Sequence, residues 1–98
     1  MSVDPKNMAV HHGNADLVLS KKPVLVHWIV ASNDSSSSRY ADIHDGESTS
    51  APKKLRIQIN AKCCFAFGPP VPIYCSSGLY LNVEADSVRV TIGYEIVS

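Results

Sequence analysis

Apolar and polar residues alternate along most of the chain with a period of two, and no stretch keeps the i, i+3, i+4, i+7 spacing of an amphipathic helix. The clearest run places Val88, Val90, Ile92, Tyr94 and Ile96 on one face and Arg89, Thr91, Gly93 and Glu95 on the other. Just before it, Leu79, Leu81 and Val83 alternate with Tyr80, Asn82 and Glu84. Only Ala85, Asp86 and Ser87 separate these runs, so the pattern predicts a hairpin with a short turn. Leu55, Ile57 and Ile59 alternate with Arg56, Gln58 and Asn60, a strand with one wet face. Asn60-Ala61 then reads as a bend or bulge into Cys63 to Phe67, where Cys63, Phe65 and Phe67 share a parity. Gly68-Pro69-Pro70 stops regular structure, because proline removes a ladder donor and restricts the residue before it.

Pro72 to Cys75 reads as a short edge strand, closed by the Ser76-Ser77-Gly78 turn. In the first half, Leu17 to Ser20 is a short strand before Lys21-Lys22-Pro23. Val24 to Ala31 is the most apolar run, with Val24, Val26, Trp28 and Val30 on one side and Leu25 and Ile29 on the other. Apolar residues on both sides predict a central strand buried on both faces. Ser32 to Ser38 is a polar loop, Arg39 to His44 a strand ending at the Asp45-Gly46 turn, and Glu47 to Pro52 a second polar loop.

About eight short strands punctuated by turn residues predict an all-β fold, an antiparallel β-sandwich of jelly-roll or Greek-key type. Residues 15–98 form one domain on this reading, and 1–14 an N-terminal arm or a short edge segment. A chain of 98 residues has room for one core only, and should bury roughly 60–70% of the surface exposed when unfolded.

Nine basic side chains balance nine acidic ones, and charged residues make up 18% of the chain. That balance argues against a nucleic-acid binder working by phosphate neutralisation. Lys53, Lys54 and Arg56 are the one basic cluster, and Asp42, Asp45 and Glu47 precede it closely. Thirteen serines take the place of the missing charges, and a neutral, charge-poor surface resists self-association weakly. Met1 to Asn7 has no apolar segment of the secretory kind, and Val24 to Ala31 is too short to span a bilayer. The expectation is a soluble protein made in the cytosol, with no membrane partner. Cys63, Cys64 and Cys75 are an odd set with two adjacent, which favours reduced thiols. A Cys63–Cys75 or Cys64–Cys75 bridge is the alternative.

The candidate chemistry is thin. Neighbouring His11 and His12 point to opposite faces of a strand, His27 sits in the most apolar run, and His44 precedes a turn. Neither these nor the cysteines have metal-ligand spacing, so no metal or cofactor is expected. There is no nucleophile elbow and no glycine cluster for an oxyanion hole, so no catalytic residue is assigned and no enzyme activity is expected. Asp42, Asp45 and Glu47 read as solvated charges at a loop end.

The layout of the C-terminal half carries a resemblance. It runs Ile43-His-Asp-Gly46, the strand Leu55 to Asn60, Phe65-Ala-Phe67 with prolines, Gly78-Leu-Tyr-Leu81 and a closing strand Val88-Arg-Val-Thr-Ile-Gly-Tyr-Glu95. This resembles small β-sandwich virion proteins of tailed bacteriophages, over roughly residues 17 to 97. The vicinal cysteines and the long serine loop depart from that pattern. The resemblance implies a non-enzymatic structural protein of the virion, first of all a capsid decoration or cement protein that binds and stabilises the lattice. Its expected partners are the major capsid protein or other virion proteins, and further copies of itself, with a trimer favoured. Partner contact is expected from Val3, Met8 and Val10 on an N-terminal arm and from Phe67, Pro70 and Val71 on an apolar loop. The alternative is a tail, fibre or neck module binding host-surface carbohydrate, with Tyr74 and Tyr80 as stacking platforms.

Overall fold

Period-two patterning of this kind can close a core only by facing one sheet with another, and the computed structural model, which describes residues 8–97, does so. The strands are β1 (Met8–Gly13), β2 (Leu17–Ser20), β3 (Val24–Asn33), β4 (Arg39–His44), β5 (Lys53–Ile59), β6 (Cys64–Phe67), β7 (Ile73–Cys75), β8 (Leu79–Val83) and β9 (Val88–Ile96). Sheet A has the order β1-β9-β3-β6, with β7 also on β3, and sheet B the order β2-β8-β4-β5. Every pairing is antiparallel.

The connectivity is that of a jelly roll. The chain behaves as one long hairpin closed at the 45–52 loop, with β4 paired to β5, β3 to β6 and β7, β2 to β8, and β1 to β9. Winding this ribbon brings β9 beside β3 and β8 beside β4, which completes the two sheets. The core between them is Val24, Val26, Ile29 and Ala31 of β3, Val88, Val90 and Ile92 of β9, and Ala41, Ile43, Ile57, Ile59, Leu79 and Leu81 from sheet B, all at most 4% exposed. Full burial of a Val, Leu or Ile side chain contributes about 1.5–3 kcal/mol, and these residues supply most of the driving force.

Two sequence expectations are corrected. The β8 and β9 runs form no hairpin, because β8 lies in sheet B and β9 in sheet A. The 84–88 segment is an arch across the core. Glu84 N–H donates to the Tyr40 carbonyl on one side, and the Ser87 carbonyl accepts from Asp34 N–H on the other. Alternation marks which face of a strand is buried and is silent on whether its neighbour in sequence pairs or stacks.

The second correction concerns β3. Its register against β9 shifts between Val26 and Trp28, so His27 is the extra residue of a β-bulge. Val24 and Val26 point inward before the bulge, and Ile29, Ala31 and Asn33 after it. The apolar residues on both sides record this change of phase: Val30 is 41% exposed. The strand is central all the same, paired on both edges.

Met8–Gly13 forms an edge strand on β9. Residues 1–7, with Val3 among them, lie outside the described residues.

Candidate interaction surface

Opposed residues of an antiparallel pair share a face. On the outside of sheet A this collects Met8 and Val10 from β1, Leu25, Trp28 and Val30 from β3, and Tyr74 from β7. Val10 is 64%, Val30 41% and Tyr74 53% exposed, and Met8, Leu25 and Trp28 are half-buried. Gly93 makes this arrangement possible. It lies between Val10 and Trp28 in the ladders, and a Cβ there would sit 2.3 Å from the indole of Trp28. The ring therefore occupies the space a side chain on β9 would have filled, and glycine in mid-strand serves a packing purpose.

The bulge sets a buried polar contact in this face. His27 Nε2 lies 3.0 Å from Glu95 Oε1, with Glu95 paired between Met8 and Leu25 and almost fully buried. Polar groups gather toward the opposite end of the sheet, where His12 Nδ1 meets Thr91 Oγ1 at 2.6 Å and Arg89 and Ser32 are opposed. The face thus has an apolar middle and a polar margin.

The outside of sheet B is different in kind. Asp42 is 2% exposed and accepts from Arg56 Nε and Nη2 at 2.9 and 3.0 Å, with Lys53 Nζ at 3.3 Å. Arg56 also stacks 3.9 Å over the Tyr40 ring. Burial pushes the Asp42 carboxyl up, but hydrogen bonds and charge from Arg56 and Lys53 more than offset this and hold it below the usual carboxylate value. Arg39 and Glu84 add a looser pair at 3.8 Å. Most of the charge on this face is paired within it, while Arg39 Nε and His44 Nε2 on β4 are buried without a partner.

Asp42 and Asp45 were expected as solvated charges; both are buried, and only Glu47 is exposed. Asp45 Oδ1 accepts from Ser77 N–H at 2.7 Å and ties the 45–52 loop to the turn before β8. Two of the three basic residues, Lys53 and Arg56, are engaged by Asp42.

The expected contact residues fall into two groups. Met8 and Val10 are on β1 at one edge of sheet A. Phe67 ends β6 at the other edge, and Pro70 and Val71 lie in the 68–72 loop between β6 and β7, with Val71 76% exposed. β9 and β3 lie between the groups, so no single patch holds them, and the outer face of sheet A spans the gap through Leu25, Trp28, Val30 and Tyr74. Sequence reading missed Leu25, Trp28 and Val30 because it placed them in a doubly buried strand. Tyr74 and Tyr80 are not brought together: Tyr74 faces out from sheet A, and Tyr80, whose hydroxyl burial and Asp16 push up in pKa, faces out from sheet B.

The cysteines are likewise apart. Cys64 opposes Ser32 near one end of β3 and Cys75 opposes Val24 at the other, about 25 Å along a strand rising ~3.3 Å per residue. A disulfide needs Cα atoms within roughly 7 Å, so neither Cys75 bridge forms. Cys75 is fully buried and its thiol is pushed up to about 11, by burial first and by Asp45 second. Cys63 and Cys64 are exposed and line an open cleft of about 630 Å³ with Asp34, Lys62, Ser87 and Arg89. Among the described residues no group of three or more His, Cys, Asp or Glu side chains is placed to hold a metal ion.

No protein-family model matches the chain, and no curated protein matches it in sequence.

Proposed function

We propose that this protein is a non-enzymatic structural component of a tailed-phage particle, a decoration or cement protein that seats the outer face of sheet A on the capsid lattice. The observation that carries the reading is the inequality of the two outer faces. One exposes Val10, Val30 and Tyr74 around a half-buried Trp28, and the other is closed by its own ion pairs and hydrogen bonds. A small domain does not gain stability by leaving such an apolar face in water, and burying it against a partner returns roughly 25 cal/mol per Å². The C-terminal layout that resembles small virion sandwiches supports the same reading. The partner is then the major capsid protein, the location the capsid surface, and self-association into a small oligomer such as a trimer follows from repeated placement on a symmetric shell.

Reconstitution tests this. Particles prepared without the protein should bind the purified chain saturably, and the decorated particles should withstand heating or osmotic shock that opens bare ones. Equal robustness of bare and saturated particles, or no binding, would overturn the proposal.

A further inference from the structure

Among the described residues five strands lie at sheet edges: β1 in sheet A, β6 and β7 along the other side of β3, and β2 and β5 in sheet B. β5 carries Lys53, Lys54 and Arg56, β2 runs into Lys21-Lys22-Pro23, β7 is three residues long directly after Pro72, and β1 carries His11 and His12. Charges, proline and shortness are the means by which edges avoid pairing with other chains. β6 reads Cys64-Phe65-Ala66-Phe67, four residues with no charge and no proline before Gly68-Pro69-Pro70 end it, and Phe65 is 41% exposed.

The backbone of β6 is also set to receive a strand. Asn33 N–H donates to the Cys63 carbonyl, and hydrogen-bonded and non-hydrogen-bonded pairs alternate along an antiparallel ladder. The hydrogen-bonded pairs of the same parity are therefore Ala31 with Phe65 and Ile29 with Phe67. This leaves the N–H and C=O groups of Cys64 and Ala66 directed away from β3. Beside them, between the β5 and β6 edges, lies a groove of about 150 Å³ lined by Leu55, Arg56, Ile57, Gln58, Phe65 and Phe67. Its walls hold no carboxylate; Arg56 there is engaged by Asp42, Lys62 donates to the Asp34 carbonyl, and exposed Lys54 precedes the groove on β5.

We propose that β6 is a strand-addition edge for an extended segment of a partner protein, apolar at alternate positions and acidic at its ends. Alternate side chains of the incoming strand fill the groove beside Phe65 and Phe67, its backbone pairs with Cys64 and Ala66, and its carboxylates meet Lys54. A second copy paired through its own β6 fits poorly, since it would bring a second Lys54 to the groove and no carboxylate. The proposal does not depend on what covers the outer face of sheet A.

Two synthetic peptides test it, sharing a core of alternating valine and threonine and ending in aspartates or in lysines, each titrated into the full chain with backbone amide resonances as readout. The aspartate peptide should bind at least about tenfold more tightly, a difference of about 1.4 kcal/mol, and move the Cys64 and Ala66 amides most. Ala66→Pro removes an outward N–H and should weaken binding about tenfold with an unchanged melting midpoint. Lys54→Glu, on the neighbouring strand, should narrow the preference between the peptides, and it serves alone if the proline variant does not fold. Equal binding of both peptides, absence of binding, shifts centred away from β6, or a dimer joined through β6 in sedimentation would each overturn the proposal.

Discussion

Gly93 and Trp28 show how one residue's missing side chain organises a surface. The indole lies where a Cβ on residue 93 would be, at 2.3 Å, so Gly93→Ala must displace either the ring or the strand. Overpacking of this kind costs about 1–3 kcal/mol. We expect a lower melting temperature together with a shift in the emission of Trp28, the only tryptophan; an unchanged midpoint would show that the ring moves freely. Asp42 makes a second prediction, with a sign fixed by its charge. Its carboxyl is held below the usual value of 3.8, so its contribution is complete above that pH and is lost as pH falls through the lower folded value. Acid unfolding followed by circular dichroism should therefore show wild type losing stability below about pH 4, with Asp42→Asn flatter over that range. At neutral pH the variant should be less stable by roughly 1–2 kcal/mol, because Arg56 and Lys53 are partly exposed and return to water when their partner is gone. Neither contact was legible in sequence. A glycine among alternating residues and an aspartate near a turn each have commoner roles, and only the ladder registers show what faces them.

At the scale of the elements, Asn33 at the inward-facing end of β3 is the residue on which the wound ribbon depends at one end. It is 3% exposed, and its Nδ2 lies 2.8, 3.1 and 3.3 Å from the carbonyls of Ser37, Ile59 and Asn60, while Oδ1 accepts from Ser35 N–H. One side chain thus joins the turn after β3 to the end of β5 in the other sheet. Asn33→Ala should cost about 1–3 kcal/mol, and amide exchange should accelerate in 34–38 and 59–63 before the rest of the sandwich. Uniform acceleration would deny it that local role. Most strands were readable from alternation, within a residue or two at their ends, and β4 matched at both. What the alternation could not convey was partnership. The β8–β9 arch and a hairpin have the same inward and outward residues, and the His27 bulge imitates a doubly buried strand because it moves the apolar set from one parity to the other. β1 read equally as an arm or a short edge segment because, at the edge of sheet A, it pairs with a single neighbour and its outward residues, Met8, Val10 and His12, mix polar with apolar.

At the scale of the molecule, the sandwich is a body with unlike sides. Sheet B closes its outer face with Asp42, Arg56 and Lys53, sheet A leaves Val10, Val30 and Tyr74 uncovered, and β6 is a short uncharged edge. Zero net charge fits this division, because it lets copies pack side by side without mutual repulsion. The candidate surface was only half legible beforehand: Met8 and Val10 lie on it, and the residues that join them to the far edge were hidden by the bulge. The central claim is that the apolar outer face of sheet A, and no other surface, seats the protein on a capsid. It is tested most directly by binding to undecorated particles of Val30→Glu, on that face, and Thr49→Glu, in the loop between β4 and β5 of sheet B. Both positions are exposed, so both variants should keep the wild-type melting midpoint. The account predicts that Val30→Glu lowers particle affinity by about tenfold or more while Thr49→Glu binds as wild type, and equal binding of the two would contradict it.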